Sequence, residues 1–193
     1  MSVTTEPAEA ARPARAPSIV GVGVVVWLAS ELMFFSGLFG AYFTLRSGND
    51  VWPPEGVELA TARTALATVV LIVSSGTMHV AVTAAGAEDR RRAVRWLVLT
   101  AVLGALFLTN QLIEYAEAPF AIDDHAYGSI FYLLTGFHGL HVLGGLVFIG
   151  AVAVTIAGRS RAPVHQTVEV CGYYWHFVDV VWVAMFSTIY LIR

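Results

Sequence analysis

Five side chains that can carry protons or ligate metals sit inside long apolar runs: Glu31, His138, His141, His176 and Asp179. His138 and His141 stand in T-G-F-H-G-L-H-V, and His176 and Asp179 stand in Y-Y-W-H-F-V-D-V. Residues three apart lie close on a helix surface, so each pair is read as sharing a face. An imidazole or carboxylate in hydrocarbon is strongly disfavoured without a partner, so such residues mark a function or a paired contact. Three chemistries suit the set. His-x-x-His with nearby carboxylates can ligate a metal or haem. Carboxylates and imidazoles in series move protons in pumps. The same groups can instead tie helices together, and spacing does not choose among the three. A second polar set, Asn110, Gln111 and Glu114, lies near one end of another apolar run on a common face, where hydrogen bonding between helices is the expected role. His79 is read as a packing histidine.

These side chains need helices to hold them. The stretch 128–158 contains no Asp, Glu, Lys or Arg. As a helix it extends roughly 45 Å, more than a hydrocarbon core of about 30 Å. Four further runs qualify as spans: 18–45, 64–87, 96–115 and 164–192. Counting about 1.5 Å per residue from each span's start puts Glu31, His138, His176 and Asp179 at one level near the midplane. That predicts one hydrogen-bonded group built from three helices, made directly or through water. Glycines recur in the first and fourth spans, among them Gly37, Gly40, Gly139 and Gly145, and are read as sites of close helix approach.

Composition agrees. Hydrophobic residues make up 57% of the 193, against about 45–50% in soluble domains. The fold class is therefore all-α, a polytopic membrane bundle of five transmembrane helices in one domain, 18–193. Residues 1–17, rich in Ala, Pro and Glu, read as a disordered tail. A signal peptide is disfavoured because the apolar run after Arg15 is too long and no cleavage site follows it. One cysteine, Cys171, rules out an intrachain disulfide. The basic residues are few and scattered over short loops, which excludes nucleic acid as a partner. All eleven of them are arginine. A cytoplasmic N-terminus puts Arg12, Arg15, Arg90, Arg91, Arg92, Arg95, Arg159 and Arg161 inside, and Arg46, Arg63 and Arg193 outside with the C-terminus. The positive-inside rule favours that orientation.

Five blocks in order resemble subunit III of the haem-copper oxidases, cytochrome c oxidase in particular. They are S-E-L-M-F-F-S-G-L-F at 30–39, W-P-P at 52–54, Q-L-I-E-Y-A-E-A-P-F at 111–120, Y-G-S-I-F-Y-L-L-T-G-F-H-G-L-H-V at 127–142 and Y-Y-W-H-F-V-D-V-V-W at 173–182. The resemblance implies an accessory subunit in a complex of the bacterial plasma membrane that oxidises cytochrome c, reduces oxygen to water and pumps protons. Haem and copper would belong to subunits I and II, with no catalytic, cofactor or metal site in this chain. Subunit I would be its direct partner, and its role would be to sustain proton uptake and protect the oxygen site during turnover. Glu31 matches the family's carbodiimide-reactive glutamate, and Asp179 a second membrane carboxylate. The usual member has seven spans, and only the last five are matched here. The absent pair normally closes a cleft that holds phospholipid, which leaves lipid binding there open. Short forms of this kind resemble those of actinobacterial oxidases, where a cytochrome bc complex is a further partner. Third subunits of quinol oxidases and proteins accompanying nitric oxide reductase share the family. A small transporter would need broken helices and an inverted repeat, and neither is found. The orientation is tested with a cysteine at position 91. A membrane-impermeant thiol reagent should label it only after intact cells are permeabilised, and labelling of intact cells would reverse the topology.

Overall fold

The computed structural model describes residues 19–158 and 163–192. The expected tail and Arg159, Arg161 and Arg193 lie outside the described residues. Five helices follow in order: α1 (Ile19–Ser47), α2 (Thr61–Gly86), α3 (Arg90–Glu117), α4 (Ala126–Ala157) and α5 (Val164–Phe186), the last continuing into a widened π turn, Ser187–Leu191. All five are long and apolar enough to cross a membrane, and there is no strand among the described residues. Short connections make consecutive helices antiparallel. One end of the bundle gathers Glu58, Glu117, Asp123 and Asp124, and the other gathers Arg90, Arg91, Arg92 and Arg95. They are called here the acidic end and the arginine end.

Many of the residues are poor helix formers in water. α2 holds Thr, Val, Ser and Gly in quantity, yet in lipid a helix is the way an isolated segment satisfies its own backbone. Its hydroxyls bond back to the preceding turn, as Thr68 does to the Thr64 carbonyl at 2.8 Å and Thr83 to that of His79 at 3.0 Å. The sequence expectation started the third span at residue 96, but α3 begins at Arg90. Asp89 accepts from the Arg92 N–H at 3.0 Å and caps the helix, so the first turns carry arginines that extend toward water. His125 does the same for α4, accepting from the Gly128 N–H at 2.8 Å.

α5 is the most enclosed span and α1 the least, with 56% and 11% of their most apolar windows buried. α5 contacts α1, α2 and α4, and α2 packs most extensively on α3. α1 touches chiefly α4 and α5, along one stripe. Trp27 stacks on Tyr174 at 5.4 Å, Phe35 meets His141 at 5.0 Å, and the Tyr42 hydroxyl donates to the Thr188 carbonyl at 3.2 Å. The rest of α1 presents apolar side chains such as Val25, Val26 and Met33 outward.

Trp175 is the wedge at the centre. Its indole N–H donates to Ser74 of α2 at 2.9 Å. Its ring fills the space left by Gly104 of α3 and Gly145 of α4, where an added Cβ would fall 2.5 Å and 2.9 Å from ring carbons. Gly37 and Gly40, by contrast, face open space. Gly104→Ala should therefore cost about 1–3 kcal/mol, because a fully buried indole has nowhere to go. Gly37→Ala should leave the bundle's own stability unchanged. Denaturant titration of the solubilised protein compares the two.

Candidate functional site

Burying a polar group costs free energy unless it is hydrogen-bonded, and the cost is greatest where no water reaches. The five intramembrane candidates each have a protein partner, but the four placed at one depth do not form the single group predicted. They divide into three.

The first joins α1 to α4. His141 Nδ1 donates to the Phe137 carbonyl at 2.7 Å, and its Nε2 lies 3.2 Å from a Glu31 carboxylate oxygen. Because a carbonyl can only accept, Nδ1 carries hydrogen. The contact between Nε2 and Glu31 then holds one proton, on the carboxyl or on the ring. The His141 and Glu31 side chains are 17% and 24% exposed, so this pair lies near the surface of the bundle.

The second is His138, fully buried between Phe107 and Trp182. Its Nε2 donates to the Val178 carbonyl of α5 at 3.2 Å, and its Nδ1 has no partner. His138 and His141 are a turn apart, but one turns toward α5 and the other toward α1. The shared face read from the sequence does not bring them onto a common partner.

The third joins α5 to α2 through a residue that sequence reasoning missed. Ser75 lies 2.9 Å from His176 Nδ1 and donates to Asp179 Oδ2. With the hydroxyl hydrogen on Asp179, the serine oxygen accepts from His176, so the order is imidazole, hydroxyl, carboxylate. Asp179 Oδ1 is buried without a partner. His176 is half-buried, and exposed His79 on α2 lies nearby. Depth put Glu31 and Asp179 on one level, but α1 and α2 meet α5 on different sides. No hydrogen bond among the described residues links one group to another.

Ser75 belongs to a rail of hydroxyls along α2. Thr68 accepts from the Trp182 indole at 2.9 Å, Ser74 accepts from Trp175, and Thr77 pairs with Thr100 of α3 at 2.7 Å. At the acidic end Thr64 and Tyr190 both donate to Glu114, at 3.1 and 2.8 Å. That ties α2, α3 and the terminal π turn together, the role expected of Glu114. Asn110 and Gln111 do not join: the Asn110 amide nitrogen has no partner, and Gln111 turns toward the α4 side. The signal in the sequence was the recurrence of Thr64, Thr68, Ser74 and Thr77 at intervals of four, six and three residues, with Ser75 standing off that line.

No three His, Cys, Asp or Glu side chains among the described residues converge as a metal-holding group, and Cys171 is buried alone. The arrangement suits sharing single protons and bonding helices. A family model described as cytochrome c oxidase subunit III matches residues 15–192.

The chain belongs to the cytochrome c oxidase subunit III family.

A protein of Mycobacterium tuberculosis named probable cytochrome c oxidase subunit 3 is 46% identical over 184 residues, covering 92% of this chain and 90% of its own length. Cytochrome c oxidase subunit 3 of Corynebacterium diphtheriae is 42% identical with the same coverage, and that of Thermostichus vulcanus is 37% identical over 91% of this chain. These subunits are nearly as short as this chain. Subunit III is the accessory subunit of the haem-copper oxidase. In this family setting, Ser75→Ala isolates the key contact: it strips Asp179 of its hydroxyl donor and His176 of its neighbour. The bundle should lose about 1–3 kcal/mol, read as a lower denaturation midpoint, while Ser36→Ala, whose hydroxyl bonds only to its own helix, should lose almost nothing.

Proposed function

We propose that this chain is a redox-silent subunit III that docks on the haem-copper catalytic subunit I and keeps it stable in turnover. Its intramembrane acids and imidazoles are helix ties, and they are not steps of the reaction. The observation that carries this reading is that Glu31, His138, His176, Asp179 and Glu114 each place a polar atom on a neighbouring helix. Haem and copper lie in subunits I and II on this reading, and subunit II and other oxidase subunits complete the complex. The relatives' names support cytochrome c as the electron donor of that complex, ahead of a quinol. The arginine distribution supports a bacterial plasma-membrane topology with the N-terminus cytoplasmic and the C-terminus external. The resemblance to short actinobacterial forms supports a cytochrome bc complex as a further partner.

The docking face follows from the same physics. Along α2, Ile72, Gly76, His79 and Thr83 point outward, beside half-buried His176 of α5. Imidazoles within the hydrocarbon do not face lipid without large cost. A protein surface with complementary polar groups removes that cost, and subunit I is the surface proposed.

Two results test the reading. The chain should purify from membranes with a haem-bearing subunit and be colourless when separated from it. A redox metal bound stoichiometrically to the separated chain would overturn the proposal. Glu31→Ala and Asp179→Ala should leave proton ejection per electron largely intact in complexes matched for subunit III content. Their effect should be weaker retention of the subunit and faster loss of activity, since leaving a buried partner unsatisfied costs about 1–3 kcal/mol. Complete loss of pumping in a complex with full subunit III would make these residues steps of a proton path.

A further inference from the structure

A groove of about 580 Å³ runs between α3 and α4 on the side away from α2, within the size range of small-molecule sites. It exists because Gly136 and Gly139 leave its floor bare; a Cβ at either would meet only Tyr115 or Leu108 at ordinary contact distance. Leu112, Leu140 and Leu143 flank it and are largely exposed, so it opens to the membrane. Its lining is apolar apart from the acidic end, where Tyr115, Tyr132 and Gln111 stand. Gln111 is 2% exposed and lines the groove. Its amide lies beside the Tyr115 hydroxyl, but that hydroxyl is engaged with Thr135 at 2.7 Å. Neither Gln111 amide atom has a partner of hydrogen-bonding geometry. A buried amide left so is costly, and a ligand with a carbonyl removes the cost.

We propose that this groove binds one acyl chain of a glycerophospholipid from the leaflet at the acidic end, with a glycerol ester carbonyl accepting from the Gln111 amide. Length selects the occupant. From Tyr132 to Leu143 the α4 wall is roughly 17 Å long, close to half of a hydrocarbon core of about 30 Å. Beyond Leu143 the next bare position on α3, Gly104, is already filled by Trp175 and by Leu146 of α4. A partner's transmembrane helix would need a path through both leaflets, whereas an acyl chain needs one. Tyr115 and Tyr132 sit where aromatic side chains with a polar tip meet lipid headgroups. An apolar helix face offers no acceptor to Gln111, and an ester does. Both walls belong to this chain, so the groove does not depend on the two helices that longer family members add. The site also stands apart from the α2/α5 face and from the proposal about docking.

The test uses the intact oxidase complex in nanodiscs containing phosphatidylglycerol with a diazirine in one acyl chain. After photolysis, adducts are mapped on this chain's own peptides. Adducts should concentrate on Leu108, Leu140 and Leu143 and fall on dilution with unlabelled phosphatidylglycerol. Gly139→Phe, which fills the floor, should abolish them. Gln111→Leu, which removes one hydrogen bond, should reduce them about fivefold. Were Gly139→Phe not to assemble, Gln111→Leu and the dilution series decide the matter. Adducts spread evenly over every exposed helix face and unmoved by Gln111→Leu would overturn the proposal. So would adducts excluded from the groove because another subunit crosslinks there, or displacement by a long-chain quinone where phospholipid fails.

Discussion

The indole and hydroxyl seam between α2 and α5 is the contact on which the rest of the bundle depends. Between two helices in lipid there is no hydrophobic drive to associate, since acyl chains are as apolar as leucine. What remains is shape and hydrogen bonding. Thr68 and Ser74 take the N–H groups of Trp182 and Trp175, and Ser75 takes both His176 and Asp179. Each bond fixes a large side chain of α5 in one orientation. With Trp175 so fixed, its ring occupies the space at Gly104 and Gly145 and sets how closely α3 and α4 approach. α1 then adds to the surface that α4 and α5 present, through Trp27, Glu31 and Tyr42.

Much of this was legible in the residues. Length and runs with few or no charges identified the five spans, because lipid leaves a peptide few other conformations. Glu114 was legible as a helix tie from its place near a span end, but its partners Thr64 and Tyr190 were not. The midplane group was not. Depth follows from counting residues, but the direction in which a side chain points depends on the order of helix packing. Glu31 and Asp179 lie at similar depth and face different neighbours. Ser75 was overlooked for a related reason: one serine in V-S-S-G-T carries no signal by itself, and its meaning comes from the α5 residues opposite it. The start of α3 was placed late because arginines read as loop, although their long stems let a helix run on into the headgroup region.

The outer surfaces of the bundle are not equivalent. α1 offers Val25, Val26 and Met33, with Gly37 and Gly40 open, and is at ease against lipid or an apolar helix. The α3/α4 side is a leucine-walled groove with a buried amide at one end. The α2/α5 side places two imidazoles, His79 and His176, at or near the surface within the span, neither of them paired with a carboxylate in the way that His141 is paired with Glu31 on the α1/α4 side. These differences give the subunit a defined orientation in a larger assembly without any large loop or extramembrane domain. The same hydrogen bonds that hold the helices together therefore decide which polar atoms are left over for a partner.

The central claim is that this residual polar face is covered by the catalytic subunit. A photoreactive amino acid at Ile72, which shares the outward stripe of His79, tests it in intact membranes, with Leu140 on the groove as the comparison. The account predicts a crosslink from position 72 to the haem-bearing subunit and lipid adducts from position 140. Lipid adducts at position 72, in membranes where this chain is fully assembled with the oxidase, would contradict it.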